Sequence, residues 1–248
     1  MCRLCLSRRS LLAASAILPW ASSAGTATTG DGPVEAPLRL REPAPDRLQV
    51  ALTLDACPGA FDERIASALV ESKIQATIFV TGLWLHRNPA GLAFLLAHRD
   101  LFAIENHGAL HIPPVLGQRA IYGIPVAGDL GAVRREVTDG AAAINAATGA
   151  VPRWYRAATG YYSPSAMAAI QQLGFGIAGY SLNADQGASL PAHSVADRIA
   201  KATNGEIIIA HINQPHRPSG AGVVAGIREL QRRGASFMRL ERPPAVNA

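Results

Sequence analysis

Charge is scarce in this chain of 248 residues. Only 17% of them are Asp, Glu, Lys or Arg, against roughly 25% in ordinary soluble domains, while 49% are hydrophobic. So apolar a composition excludes an intrinsically disordered chain or a nucleic-acid-binding tail. Aromatic residues make up 6%, too few for a platform that stacks single-stranded bases. No apolar run reaches the roughly 20 residues that span a bilayer as a helix, so no integral membrane span is expected. No segment recurs at a period of roughly 20 to 50 residues, which removes solenoids and propellers. Cysteines are few as well: Cys2, Cys5 and Cys57. What remains is a chain long enough for one domain of about 200 to 250 residues, with a full core and no need of disulfide or zinc staples.

Residues 1–24 combine a basic start, an apolar stretch from Leu11 to Trp20 and small residues ending at Ala24. This is the layout of a cleavable export signal, with Ser22 and Ala24 suited to precede the cut. Within it, Arg8-Arg9 ahead of Leu11-Leu12 follows the twin-arginine pattern. The expected destination is periplasmic or secreted. Arg3, Arg8 and Arg9 leave with the signal, so the formal charge falls from +5 to about +2 and no polyanionic partner is required. Cys2 and Cys5 leave too, and Cys57 alone forms no internal disulfide. Residues 25–46, rich in Gly, Pro, Ala and Thr, read as a flexible tether, with the folded domain expected over 47–248.

From Leu48 onward, short β-type runs alternate with helical patterns. The strand candidates are 48–54, 76–80, 101–105, 153–156, 175–182, 206–211 and 236–240. Between them, Asp62 reads as the N-cap of a helix burying Ile65, Leu69 and Val70. Val133, Val137, Ala141 and Ile144 fall at helical spacing in a long stretch over 129–147. Ser163-Pro164 opens a helix that Gly174 closes, Ser194 opens another, and a last one runs through Ile227 and Leu230 to Gly234. The fold class expected is α/β, one parallel domain with about seven strands, either a barrel or a doubly wound sheet.

The polar residues sit at the ends of those strands. Asp55 follows the first; Glu105, Asn106 and His107 close the third, with His111 four residues on. Arg156 ends the fourth, Asn183 and Asp185 follow the fifth, and His211 ends the sixth. In a parallel α/β barrel the C-terminal ends of all strands lie on one rim, so five strands deliver ionisable groups to one pocket. His107 and His111, placed on a helical turn, would share a face and reach one cation.

With these residues in order, the chain resembles the polysaccharide deacetylases of carbohydrate esterase family 4, the NodB-homology fold. The resemblance runs from about Leu48 to Leu240. LTLDACPG is similar to the first motif, T-F-D-D, and ENHGALH to the second, N-H-S/T-x-x-H. YRAATG is similar to the third, R-P-P-x-G, while YSLNAD stands in the fourth motif's place and IIIAH in that of the fifth, L-x-H. The resemblance implies a distorted parallel (β/α) barrel and metal-dependent hydrolysis, usually with Zn2+, of N-acetyl or O-acetyl groups on a sugar polymer. It implies Asp55 as base, Arg156 as the group that holds it, and His211 as general acid tuned by Asp185 or more weakly Asn183. It also implies His107 and His111 as metal ligands. The backbone N–H of Thr159 is a candidate oxyanion donor, and Gly160, Tyr161 and Tyr122 are candidate contacts for an acetylated glycan. No protein partner is implied.

Two departures stand out. The second aspartate of the first motif, a metal ligand in the family, is Ala56 here, and the third motif's prolines are Ala157 and Ala158. Either Asp55 joins the histidines on the metal, with Glu105 or Asp185 then the base, or two histidines and waters hold it. A third possibility is a non-catalytic glycan-binding barrel. Cys57 is a soft ligand type nearby, read here as a small packed residue. Residues 112–128, with Tyr122, form a long loop leaving the metal motif. His86, His98, His193 and His216 read as solvated positions.

Overall fold

The computed structural model describes residues 31–240 and Pro243; the expected export signal lies outside them. Eight strands make the central parallel sheet: β1 (Gln49–Ala56), β2 (Ala76–Val80), β3 (Phe102–Asn106), β4 (Trp154–Tyr155), β5 (Gly176–Ile177), β6 (Leu182–Asn183), β7 (Ile207–His211) and β8 (Ser236–Met238). Seven of them follow the order β6-β7-β1-β2-β3-β4-β5, and β8 pairs with the start of β1. The sheet curls into an incompletely closed barrel, the distorted parallel architecture the alternating pattern implies. Val50 to Ala56 of β1 are all buried, as befits a central parallel strand covered on both faces.

The helices follow from their caps. Asp62 accepts the N–H of Arg64 at the start of α1 (Glu63–Glu71), whose Ile65, Ala66, Ala68 and Leu69 are buried. Two helices, α2 (Gly82–Arg87) and α3 (Pro89–Ala97), fill the connection from β2 to β3. In α4 (Leu130–Thr148), Asp129 accepts the Ala132 N–H, and Gly149 ends the helix at φ 72°, the left-handed conformation glycine adopts without strain. Helix α5 (Pro164–Gln172) has proline in its first turn. Ser163 does not cap it; its hydroxyl accepts from Leu116 N at 2.8 Å and donates to Asp31 O at 2.6 Å. Helix α6 (Ala192–Ala200) starts after Pro191, two residues ahead of the expected Ser194, and α7 (Ser219–Arg232) packs against it and against α1.

Two expectations need correction. The run 175–182 is not one strand but two, β5 and β6, on opposite ends of the sheet path. Between them the carbonyls of Ala178 and Gly179 turn to the Arg156 guanidinium at 3.4 and 2.9 Å, so they are lost to a ladder. The second correction concerns the tether. In its described part, residues 31–46 lie as a strap along the domain: Val34–Glu35 pairs antiparallel with Tyr161–Tyr162, Pro37 bridges Tyr180, and Leu40 N donates to Gly205 O. At the strap's closest approach a Cβ on Gly179 would stand 1.5 Å from the Ala36 carbonyl oxygen, so only glycine fits there. Composition reported the prolines and small residues of this segment but not the groove that accepts them.

Candidate active site

The C-terminal ends of β1, β4 and β7, with the loops after β3 and β6, bring the sequence-selected residues together. Asp55 and His211 are register partners on adjacent strands. Arg156, at the end of β4, is fully buried and fully engaged. Its guanidinium donates to Asp55 Oδ1 at 3.0 Å, Thr53 Oγ1 at 2.7 Å and Gly179 O at 2.9 Å, and lies 4.2 Å above the Phe79 ring. Thr53 in turn donates to Ile208 O, which locks the arginine between β1 and β7. Burial pushes the Asp55 carboxyl up, but Arg156, His107 and His211 outweigh it, so the group sits below its ordinary value and is ionised.

Asp185 is also completely buried and grips His211 twice: Oδ1 stands 2.9 Å from Nδ1, and Oδ2 accepts the backbone N–H at 2.8 Å. Burial works against the imidazolium, yet the Asp185 charge and hydrogen bond overcome it and hold the pKa well above that of a free imidazole. Of the two fourth-motif candidates, Asp185 is the one that contacts His211. Asn183 Oδ1 instead accepts Gln186 N in its own turn.

His107 donates from Nδ1 to the Arg156 carbonyl at 2.9 Å, which orients the ring and turns Nε2 to the site; burial lowers its pKa, but Asp55 and Cys57 outweigh that and hold it above the ordinary value. There Nε2 meets Cys57 Sγ at 3.4 Å and Asp55 Oδ2 at 3.7 Å. The His111 ring stands 5.0 Å from that of His107, centroid to centroid, at 70°. The two do not share a helical turn as expected. They meet in a loop whose Gly108 and His111 have φ of 88° and 65°, so left-handed backbone supplies the reversal. One donor of each of Cys57, His107 and His111 lies within 4.8 Å of the others. Burial raises the Cys57 thiol, and the imidazoles of His107, His111 and His211 bring it well below its usual value. The packed-residue reading of Cys57 is thus corrected: its sulfur faces the histidines.

Of the remaining sequence candidates, Thr159 has φ 69° and its Oγ1 is buried without a hydrogen-bond partner. Tyr122, at the tip of a hairpin from Ala120 to Pro125, is 79% exposed and stands edge-on to Tyr161 at 6.0 Å. His86, His193 and His216 are exposed, and His98 Nδ1 lies 3.0 Å from Phe94 O. Glu105, the alternative base named above, is engaged by backbone. Its Oε2 accepts the N–H groups of Arg153 and Trp154 at 2.7 and 2.8 Å, tying β3 to the start of β4.

Burial raises the Glu105 pKa from 4.5 to about 7, against the pull of those two donors. The folded chain therefore binds this proton more tightly than the unfolded one, and stability falls as pH rises from about 4.5 to 7. Glu105→Gln keeps an acceptor for both N–H groups and removes this contribution. Thermal midpoints of the metal-free protein across that range check it; identical pH slopes for the two proteins would contradict the assignment.

Sequence reading missed one important group, Glu136. From the buried stripe of α4 its carboxylate accepts Leu110 N at 3.0 Å and Ile112 N at 3.1 Å, cradling the loop that carries His111. Gly140, one turn on, lets that loop approach: a Cβ there would stand 2.6 Å from the Gly108 carbonyl carbon. The signal was available, as a lone acid between Val133 and Ile144 on an apolar stripe. Glu136→Ala is expected to weaken zinc binding by the roughly 10- to 100-fold typical of lost ligand support. Competition with a chromophoric chelator measures it, and an unchanged affinity would show the loop stands unaided.

The family model for polysaccharide deacetylase matches residues 43–178. No curated protein matches the chain. Among solved structures, a family 4 pseudoenzyme from Bacillus anthracis is 20% identical, with 84% of this chain and 68% of that one covered at a TM-score of 0.65. The peptidoglycan deacetylase PdaC from Bacillus subtilis is 21% identical, with 79% and 89% covered and a TM-score of 0.64. A family 4 carbohydrate esterase from Streptomyces lividans, solved in complex with acetate, is 19% identical over 76% and 91% at 0.62. With the motifs in order along the strand ends and more than half of its length matched, the chain belongs to the polysaccharide deacetylase family.

Proposed function

We propose that the chain is an exported, metal-dependent deacetylase that hydrolyses N-acetyl, or O-acetyl, groups of a sugar polymer or oligomer. The observation that carries this reading is a pair of oppositely poised groups on neighbouring strands. Asp55 is ionised and held by Arg156, while His211 is protonated and held by Asp185. Amide hydrolysis needs such a base and acid together.

The donor set fits a divalent transition ion, since imidazole nitrogens with a nearby sulfur suit zinc better than magnesium or calcium. His107 and His111 would hold it. When bound, the ion supplies polarisation of the acetyl carbonyl and a lower pKa for the attacking water. Asp55, its Oδ1 fixed by Arg156, is placed to accept a proton from the attacking water. His211 gives a proton to the leaving nitrogen from Nε2, because Asp185 engages Nδ1. The Thr159 N–H is the proposed oxyanion donor, on a backbone whose left-handed turn is set before substrate arrives. Gly160, Tyr161 and Tyr122 are the proposed glycan contacts. Export rests on the Arg8-Arg9 signal pattern. No helix among the described residues is long and apolar enough to cross a membrane.

A second reading, a barrel that binds glycan without cutting it, is favoured by Ala56 standing at a ligand position. Acetate release from a panel of acetylated glycans, using zinc-loaded protein recovered from the periplasmic fraction, separates the two. Release supports the deacetylase; glycan binding with no acetate supports the second reading.

A further inference from the structure

We propose that Cys57 is the third protein ligand of the metal, its thiolate taking over the role of the carboxylate that this chain lacks at Ala56. The inference rests on the deacetylase reading only in assuming that a metal binds. Cys57 is the first residue past the end of β1, and its sulfur lies on the Asp55 side, beside the His107 Nε2 that stands 3.7 Å from Asp55 Oδ2. The Ala56 side chain is wholly buried in the apolar core. Cys57 thus points where Ala56 does not. Its Sγ lies 3.4 Å from His107 Nε2, and the three donors Cys57, His107 and His111 fall within 4.8 Å of one another. Asp55 is not a member of that group, and its Oδ1 is already held by Arg156.

A Cys-His-His set with an open fourth position is a donor arrangement that zinc accepts. Two consequences follow. The first is selectivity: a thiolate favours zinc, cobalt or cadmium, whereas an aspartate in the same place also serves manganese and magnesium. The second is that Asp55 need not choose between ligand and base. Moving the third ligand to Cys57 leaves Asp55 free to accept a proton, so loss of the carboxylate at Ala56 does not empty the metal site.

The test is optical and needs no turnover. Full-length chain is freed of metal, reduced and loaded with Co2+, and its near-ultraviolet absorption is compared with that of Cys57→Ala and Cys57→Asp. Wild type is expected to show a thiolate-to-cobalt charge-transfer band that both variants lack. Cys2 and Cys5 are unchanged in the variants, so a band that depends on Cys57 comes from this sulfur. Zinc affinity is expected to fall at least the roughly 10- to 100-fold of a lost supporting group in Cys57→Ala, and to recover in part in Cys57→Asp. Cobalt bound without a band, or a band retained in Cys57→Ala, overturns the assignment and leaves the deacetylase reading standing. A Cys57-dependent band in a protein that releases no acetate overturns that reading and leaves the ligand in place. Failure to bind cobalt or zinc overturns both.

Discussion

Replacing Asp55 by asparagine is expected to lower turnover about 10²- to 10⁴-fold while metal content stays that of wild type. The reason is geometric. The carboxamide of the Asp55→Asn variant still offers an oxygen to Arg156 Nη1, which stands 3.0 Å from Asp55 Oδ1, and Asp55 lies outside the Cys57, His107 and His111 donor group. What the amide lacks is a charge able to accept the proton of water. The substitution also leaves Arg156 buried without its counter-ion, and breaking a buried ion pair costs on the order of 3 to 5 kcal/mol. Part of that is retained through the neutral hydrogen bond, so rates belong below the variant's own unfolding transition. Elemental analysis beside the rate decides the role: loss of rate with metal kept marks the base. Loss of both places Asp55 on the metal and contradicts the division of labour between Asp55 and Cys57.

His211→Ala is the second large effect, again about 10²- to 10⁴-fold in turnover, with metal content and glycan affinity little changed. Asp185 holds His211 through both carboxylate oxygens, and that grip keeps the imidazole protonated where an exposed histidine would have lost its proton. A raised pKa keeps the acid form present to higher pH, so the alkaline limb of activity lies above the ordinary imidazole value of about 6.5. Asp185→Asn removes the charge that raises it and is expected to move that limb down in pH while leaving an oxygen for the backbone N–H of His211. An alkaline limb that does not move would show that another group donates the proton. Metal lost in His211→Ala would make the histidine a ligand instead.

How much of this was legible in the sequence divides by the physics involved. Asp55, His107, Arg156, Asp185 and His211 were readable because parallel strands deliver their C-terminal residues to one rim, whatever the details of packing. Cys57 was misread because it lies one residue past the end of β1, where strand alternation no longer sets a side chain's direction. A cysteine beside an apolar run reads as core until its neighbours in space are known. The histidine pair was assigned correctly to one place for the wrong reason, since Gly108 and His111 take left-handed backbone that spacing alone does not disclose. Glu136 was hidden because its role is to hold backbone N–H groups 24 and 26 residues away, which no local pattern encodes. The strap over 31–46 was taken for a tether because proline and small residues suit both a free linker and a segment lying in a groove.

The proposed deacetylase depends on a metal held beside Asp55 and His211. That dependence is tested most directly by adding zinc in steps to metal-free protein and following acetate release from an acetylated glycan oligomer. The rate is expected to rise with zinc, level off at about one equivalent per chain, and stay at background throughout in Asp55→Asn. Glycan that binds at every zinc level while acetate stays at background in the wild type would contradict it.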